Sequence, residues 1–375
     1  MSAKFKRRDF LKASAAMAAA SAAGGFGCAE IASAAPIVPP DVDKVSARVL
    51  IDGAYNLFLR PGQVKGVQVE PAPRQSDYRR ALHNQWGLSL YIESQRASEQ
   101  HTVMVDFGYT PEALNNNIDY VGADPKKIEA LIVSHGHFDH YGGLIGFLEA
   151  RREQMRKDLR LYTGGEDIFC KRLGRSPDGN FTAPVALDRR RLKALNVETV
   201  LSDTPAVIEG HAFTTGAVPR TGIEHVLPNS WVEVGIKDGL GCDANAYMNH
   251  HFTAEELAGK PQPDQHWHEH ATCFRLGDRG LVVISSCGHS GIINALRHAQ
   301  EVSGVEKIYA LLGGFHLAPA PDDYLRQVMA ELKKFDLGHV LPMHCSGQNF
   351  VDLAKQEMPE KLVLCTTGSR FTFTA

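Results

Sequence analysis

Ser134-His135-Gly136-His137-Phe138-Asp139-His140 follows directly on the apolar run Ile128-Glu129-Ala130-Leu131-Ile132-Val133, so three imidazoles and a carboxylate occupy positions 135 to 140 at the end of a buried strand. Histidines at i and i+2 in an extended or tightly turned loop converge on one ion. Asp139 and His140, turned past Phe138, are placed to grip a second ion a few ångströms away. Gly136 lets the loop bend between ligands. Ordinary polar loop residues explain the pattern poorly, because histidines packed this tightly repel one another as they charge. The stretch reads as a metal site.

Outward from this motif, strand-like and helix-like stretches alternate from Val45 onward without an internal repeat, the pattern of an α/β (α+β) chain. Strands are expected at 47–51, 87–93 and 101–106, with Asp106-Phe107-Gly108 as a turn after the third. A helix is expected at 110–117 with Pro111 in its first turn, and another at 142–157 burying Leu144, Ile145, Phe147 and Leu148. Later strands are expected at 159–163, 212–215, 271–276, 281–286, 308–312 and 339–341, and helices at 291–302 and 322–335.

The chain has 375 residues, 43% hydrophobic and 22% charged, enough for a large core, and its formal charge is −3. The first 34 residues hold five basic and two acidic side chains, so a form lacking them is more acidic still. That argues against a nucleic-acid partner. Basic clusters such as Arg189-Arg190-Arg191 and Arg151-Arg152 read as solvated faces.

Lys6-Arg7-Arg8-Asp9-Phe10-Leu11-Lys12, followed by an alanine-rich stretch from Ala13 to Ala23, resembles a twin-arginine export signal. Ala32-Ser33-Ala34 fits a signal-peptidase site, with cleavage expected after Ala34 or Ala35. Pro36, Pro39 and Pro40 supply an extended linker over 35–46, ahead of a domain over 47–375. Gly25-Phe26-Gly27 before Cys28 lacks the aliphatic residue of a lipoprotein signal, so no lipid anchor is expected. No other stretch has the ~18 apolar residues that span a bilayer, which implies a periplasmic protein without stable membrane association. The six remaining cysteines, Cys170, Cys242, Cys273, Cys287, Cys345 and Cys365, show no Cys-x-x-Cys spacing, and their pairing is unreadable.

His135-x-His137-x-Asp139-His140 and the strands before it resemble the metallo-β-lactamase superfamily. The resemblance implies a four-layer αββα sandwich with a mono- or dinuclear site between two sheets. The segments Gly87-Leu88-Ser89, Cys287-Gly288-His289-Ser290-Gly291-Ile292, Gly313-Gly314-Phe315-His316-Leu317 and His344-Cys345-Ser346-Gly347 are similar to the branch named after 7,8-dihydropterin-6-yl-methyl-4-(β-D-ribofuranosyl)aminobenzene 5'-phosphate synthase. Carried over residue by residue, His135 and His137 bind the first ion, Asp139 and His140 the second, and His344 is the last metal histidine. His289 is either the third histidine of the first ion or stands in the place of the missing bridging acid. In the latter case His270, Glu269 or a water completes the first ion.

His316 is expected to touch substrate or support a ligand, with metal binding or a helix cap as alternatives. Arg220, in Thr215-Gly216-Ala217-Val218-Pro219-Arg220, is the candidate for an anionic substrate group. Residues 228–270 read as an insertion rich in histidine, including Asn249-His250-His251 and His266-Trp267-His268-Glu269-His270. Its histidines are expected to be mostly solvated, with Trp267 and Tyr247 as lid aromatics or packing anchors. Cys287 and Cys345 are potential silent core thiols. His101, His211, His298 and His339 receive no role.

Zinc, two ions by the resemblance, lowers the pKa of bound water from 15.7 to about 7, so no serine or cysteine nucleophile is needed; iron or manganese also suit the donors. The expected protein is an exported hydrolase of an ester, lactone, amide or phosphoester in a small molecule, with Asp139 orienting water and His316 or Arg220 stabilising negative charge. The alternatives are a transferase like the named synthase and a non-catalytic metal- or ligand-binding protein.

Overall fold

The computed structural model describes residues 36–64, 66–77, 79–227, 229–246 and 252–375. The expected signal peptide with its cleavage site, Cys28, Ala35, Pro228, Tyr247 and Asn249-His250-His251 lie outside the described residues. Among the described residues, no helix is long and apolar enough to cross a membrane.

Alternation in the strands decides the architecture. In Leu281-Val282-Val283-Ile284, residues 282 and 284 point into one buried cluster and residues 281 and 283 into another. Val103, Met104 and Val105 divide in the same way. Strands apolar on both faces must be covered on both, so each sheet has the other on one side and helices on its far side.

The first sheet runs in the order β2 (Gly62–Val64), β3 (Val67–Glu70), β18 (Arg370–Thr374), β1 (Lys44–Ile51), β4 (Ser89–Arg96), β5 (Glu99–Val105), β6 (Ala130–Ile132), β7 (Arg160–Thr163) and β9 (Glu198–Leu201). The second runs β10 (Ala206–Ile208), β11 (Ala212–Thr214), β14 (Thr272–Arg275), β15 (Leu281–Ile284), β16 (Ile308–Gly313) and β17 (Leu337–Pro342). A small third sheet joins β13 (Gln262–Pro263), β12 (Trp231–Glu233) and β8 (Lys171–Leu173).

Val49, Leu90, Ile92 and Val105 of the first sheet share one core with Phe274, Val282, Ile284 and Leu312 of the second. On the far side of the first sheet, Met104, Leu131 and Leu161 meet Leu114 and Ile118 of the helix Pro111–Val121 and Phe147 and Leu148 of the helix Leu144–Arg151. On the far side of the second, Val283 and Leu311 meet Leu296 of Ile292–Ser303, Met329 of Asp322–Leu332 and Phe350 of Gln348–Glu357. Three core layers separate four structural layers, which is the expected αββα sandwich.

Local corrections follow from packing. Asp139 and His140, expected to turn past Phe138, sit on a helical turn, Phe138–Tyr141. The expected helix over 142–157 runs only from Leu144 to Arg151. A Cβ on Gly143 would stand 2.2 Å from the Phe107 carbonyl oxygen, so glycine permits the close approach that separates the two helical pieces. Beyond Arg151, the Arg152 guanidinium donates to the carbonyls of Leu195, Arg156, Lys157 and Asn196, tying off the helix end.

Cys170 and Cys242 form a disulfide that was unreadable in the sequence, with Cα atoms 4.4 Å apart and a sequence separation of 72. A closure of this kind contributes roughly 2–4 kcal/mol, chiefly by restricting the unfolded chain. It anchors the chain ahead of β8 to the loop that follows β12.

Candidate metal centre

The strands β5 and β6 are parallel, as are β15, β16 and β17, so each group ends on one edge of its sheet. Asp106 follows β5, the histidine motif follows β6, and Cys287 with His289, His316 and His344 follow β15, β16 and β17. Carboxyl ends of strands are where α/β sheets place ligands. Four positions here, Asp106, His266, His316 and His344, hold positive φ values of 58°, 49°, 44° and 48°. Such backbone costs about 1–3 kcal/mol per residue and concentrates at sites whose geometry the fold must impose.

His135, His137 and His289 form one triad, with ring centroids 4.8, 4.9 and 4.6 Å apart for the pairs 135–137, 135–289 and 137–289. Their ligand nitrogens lie within 4.8 Å of one another. Ser134 Oγ, 3.0 Å from His135 Nδ1, fixes that ring and leaves Nε2 without a partner. His289 is 2% exposed, and neither of its ring nitrogens has a hydrogen-bond partner. An unmade buried hydrogen bond costs about 1–3 kcal/mol, which a cation would recover.

Asp139, His140 and His344 form a second triad. His140 Nε2 is 3.2 Å from His344 Nε2, and Asp139 Oδ2 is 3.9 Å from the His140 nitrogen and 3.3 Å from the His344 nitrogen. The spacings resemble the roughly 3.4 Å ligand edges around a tetrahedral ion with bonds near 2.1 Å. The structure thus gathers all six residues expected to bind metal, and the donor set fits divalent ions.

His289 belongs to the first triad, and Cys287 Sγ is grouped with His135 and His140, one residue from each triad. The thiol therefore lies where a bridging ligand would stand, and it is not a remote core thiol. Cys345 Sγ is 3.1 Å from Cys287 Sγ and accepts from the His316 backbone N–H at 3.2 Å. Glu269 and His270 are bound to the backbone instead. Glu269 accepts from the backbone N–H groups of His289 (3.0 Å) and Ser290 (2.5 Å), and His270 Nε2 is 3.1 Å from the Val133 carbonyl oxygen.

The expectation of solvated histidines in the insertion fails for the described ones. His266, His268 and His270 are 0%, 1% and 2% exposed. His266 stacks on His289 with centroids 4.0 Å apart. His268 Nε2 accepts from the Gly136 N–H at 2.9 Å, and its Nδ1 is held 2.8 Å from Asp167 Oδ2. A Cβ on Gly136 would stand 2.3 Å from Arg172 Nη1, so glycine there admits the clamp as well as the bend.

Asp106, read in the sequence only as part of a turn, is fully buried beneath the site. Its Oδ1 accepts from the Ser134 backbone N–H at 2.9 Å, and its Oδ2 accepts from Ser134 Oγ at 2.8 Å and pairs with His140 Nδ1 at 2.7 Å. Asp52 likewise accepts from the His344 backbone N–H at 2.8 Å. Trp86, 55% exposed, lies 4.7 Å from the His344 ring and offers an aromatic surface that the sequence did not single out.

His316 joins the centre, its ring 4.1 Å from His289 and its Nε2 unpartnered. Arg220 is placed differently. Its guanidinium lies 3.8 Å over the Trp267 ring, and Nη1 donates to the Gln265 carbonyl at 2.5 Å. No contact joins it to either triad among the described residues.

Burial, with neighbouring imidazoles, drives the pKa values of His135, His266 and His289 well below 6.5. Burial also takes His137 to about 3, against the nearby carboxylates. These rings are neutral donors at neutral pH. In the metal-free protein, the unfolded chain takes up protons below pH 6.5 that the folded one refuses. This stability is complete above pH 6.5 and falls as pH drops from there toward 3. The urea midpoint of chelator-treated protein should decline steeply between pH 7 and 5, and a flat profile would contradict the burial of these rings.

A family model described as the metallo-beta-lactamase superfamily matches residues 87–157, and one for the twin-arginine translocation pathway signal sequence matches residues 4–24. A protein of Methanocaldococcus jannaschii named 7,8-dihydropterin-6-methyl-4-(beta-D-ribofuranosyl)-aminobenzene-5'-phosphate synthase is 22% identical over 333 residues, covering 84% of this chain and all of the relative. An uncharacterized protein of the same organism is 39% identical over 265 residues, 70% of this chain and 84% of the relative. A solved structure described as a metal-dependent hydrolase of the beta-lactamase superfamily superposes with a TM-score of 0.62 at 19% identity, covering 88% of this chain and 100% of the other.

Proposed function

We propose, from the premise that this chain belongs to the metallo-β-lactamase superfamily, that it is an exported metal-dependent hydrolase acting on an ester, lactone, amide or phosphoester bond of a small, anionic substrate. The observation that carries this reading is the pair of donor triads, built partly from buried ring nitrogens that no protein group satisfies. His135, His137 and His289 would hold one ion and Asp139, His140 and His344 the other, with Cys287 between the two groups. Divalent ions held there supply Lewis-acid polarisation and a nucleophile from water at neutral pH. Zinc suits this donor set best, with iron or manganese as the alternatives.

The chain's own groups divide the remaining work. Asp139 accepts a hydrogen bond from water and orients it. His316, with Nε2 unpartnered, donates to negative charge that develops on the substrate. Trp86 lines the approach to His344, and Arg220 presents its free N–H groups to an anionic substituent.

The signal sequence and the Cys170–Cys242 disulfide both support a periplasmic protein, since disulfides persist in oxidising compartments. The mature domain begins after cleavage at Ala34 or Ala35.

A synthase-like transferase is the second reading, favoured by the relative that matches over its whole length. Export argues against it, because a pterin precursor made in the cytosol would not meet an exported enzyme. Elemental analysis of the exported form should give at least two equivalents of metal per chain. Turnover of ester, lactone, amide and phosphodiester panels in ¹⁸O-labelled water should place the label in one product. A folded protein without metal would overturn the reading, and a product that joins two substrates without the label would establish the transferase.

A further inference from the structure

We propose that Glu99, His101 and His211 form a separate metal site that takes a divalent transition ion of the zinc class and ties the two sheets together. It lies at the beginning of β5, and the candidate centre lies beyond the other end of the same strand. Seven residues of extended chain, roughly 23 Å, separate Glu99 from Asp106.

The sequence placement is simple. Glu99 and His101 stand two residues apart on β5 and so share a face. The turn Glu209-Gly210-His211 between β10 and β11, in the opposing sheet, brings a second imidazole to them. The two rings lie 4.2 Å apart between centroids, and one ligand atom from each of the three residues falls within 4.8 Å of the others.

Each ring is held from behind through Nδ1. Glu129 Oε2 pairs with His101 Nδ1, and Ser94 Oγ is 2.9 Å from His211 Nδ1. Ser94 itself faces His101 across the β4–β5 ladder. A carboxylate or hydroxyl on one ring nitrogen is how a metal-ligating histidine is oriented, and it leaves Nε2 for the ion.

His211 is 1% exposed, and its Nε2 has no hydrogen-bond partner. The nearest Glu99 oxygen, Oε2, is 3.7 Å away, too far for a hydrogen bond and close to the roughly 3.4 Å that separates two ligands of one tetrahedral ion. Arg96 competes for this carboxylate through Nε at 3.1 Å and Nη2 at 2.6 Å. Both bonds go to Oε2, which leaves Oε1 open. A surface histidine needs no such framework. A buried one oriented by a hydroxyl and left with an unmet nitrogen does.

The test uses mature protein without a histidine tag, stripped by a chelator and titrated with zinc against a chromophoric competitor. Wild type should bind about one equivalent more than His211→Gln or Glu99→Gln, with unchanged circular dichroism. Glu99 is 56% exposed on its side chain, so Glu99→Gln keeps the test valid if His211→Gln misfolds. In an Asp139→Ala/His140→Ala background the same equivalent should persist, which separates this site from the dinuclear centre. Wild-type zinc stoichiometry and affinity in a folded Glu99→Gln and a folded His211→Gln would overturn the proposal.

Discussion

Replacing Asp139 and His140 together by alanine is expected to remove about one equivalent of metal and to lower turnover roughly a thousandfold, the largest kinetic effect of any change outside the first triad. The magnitude follows from the role. A metal-polarised reaction centre contributes several kcal/mol of transition-state stabilisation, and each 1.36 kcal/mol is tenfold in rate. With both residues gone, His344 alone remains of three donors whose atoms now lie 3.2 to 3.9 Å apart.

The single change Asp139→Asn separates charge from shape. Burial alone would raise the Asp139 carboxyl, but the neighbouring His140 and His344 imidazoles, the latter hydrogen-bonded to it, hold it below the ordinary carboxylate range. A group that weakly basic is a poor proton acceptor at neutral pH, so its part is to orient water and bind metal. Asp139→Asn should therefore reduce metal content and turnover together, leaving the pH profile of the residual rate unmoved. Full metal content with full turnover in the double variant, measured by elemental analysis beside initial rates, would remove the second triad from the mechanism.

The part of this site that the sequence made legible is the part encoded by neighbours in the chain. His135 to His140 are consecutive, their strand is an unbroken apolar run, and the turn that follows needs glycines, so local rules suffice. His289, His316 and His344 were found because each ends a strand that could be recognised by its own apolar residues. Strand alternation also placed the sheets, as in Leu281 to Ile284, whose residues divide between two cores. The strand Arg370–Thr374 carried the same signal, with Phe371 and Phe373 fully buried, but its value depends on pairing with Lys44–Ile51 more than 300 residues away. The insertion shows the opposite failure. Composition alone makes His266, His268 and His270 look like solvated loop residues. Only tertiary contact reveals that one stacks on a metal histidine, another grips Gly136 and the third seals the Val133 carbonyl. Cys170 and Cys242 were equally unreadable, since six cysteines give no pairing without geometry.

Asp106 is the sharpest case of a residue whose importance lies entirely in long-range contact, and Asp106→Asn is expected to weaken metal binding at the second triad by about 10- to 100-fold while the protein stays folded. The carboxylate accepts from Ser134 twice and from His140 Nδ1, so the imidazole must carry its proton on Nδ1 and turn the Nε2 lone pair toward Asp139 and His344. Asparagine tolerates the positive φ of 58° and can still accept from the Ser134 backbone N–H. Its amide nitrogen, however, would confront His140 Nδ1 with a donor. His140 would then have to move its proton to Nε2, the atom that the ion requires bare. Asp106→Ala goes further, because three buried donors lose their acceptor at about 1–3 kcal/mol each and alanine resists the left-handed backbone by another 1–2 kcal/mol. That variant should lose several kcal/mol of stability in urea, with or without metal. The asparagine variant should match wild type in the chelator-treated state and fall behind only when zinc is added. Equal zinc affinity in a folded Asp106→Asn would mean that Asp106 is merely structural. A loss confined to the metal-bound state would identify it as the group that sets the His140 tautomer.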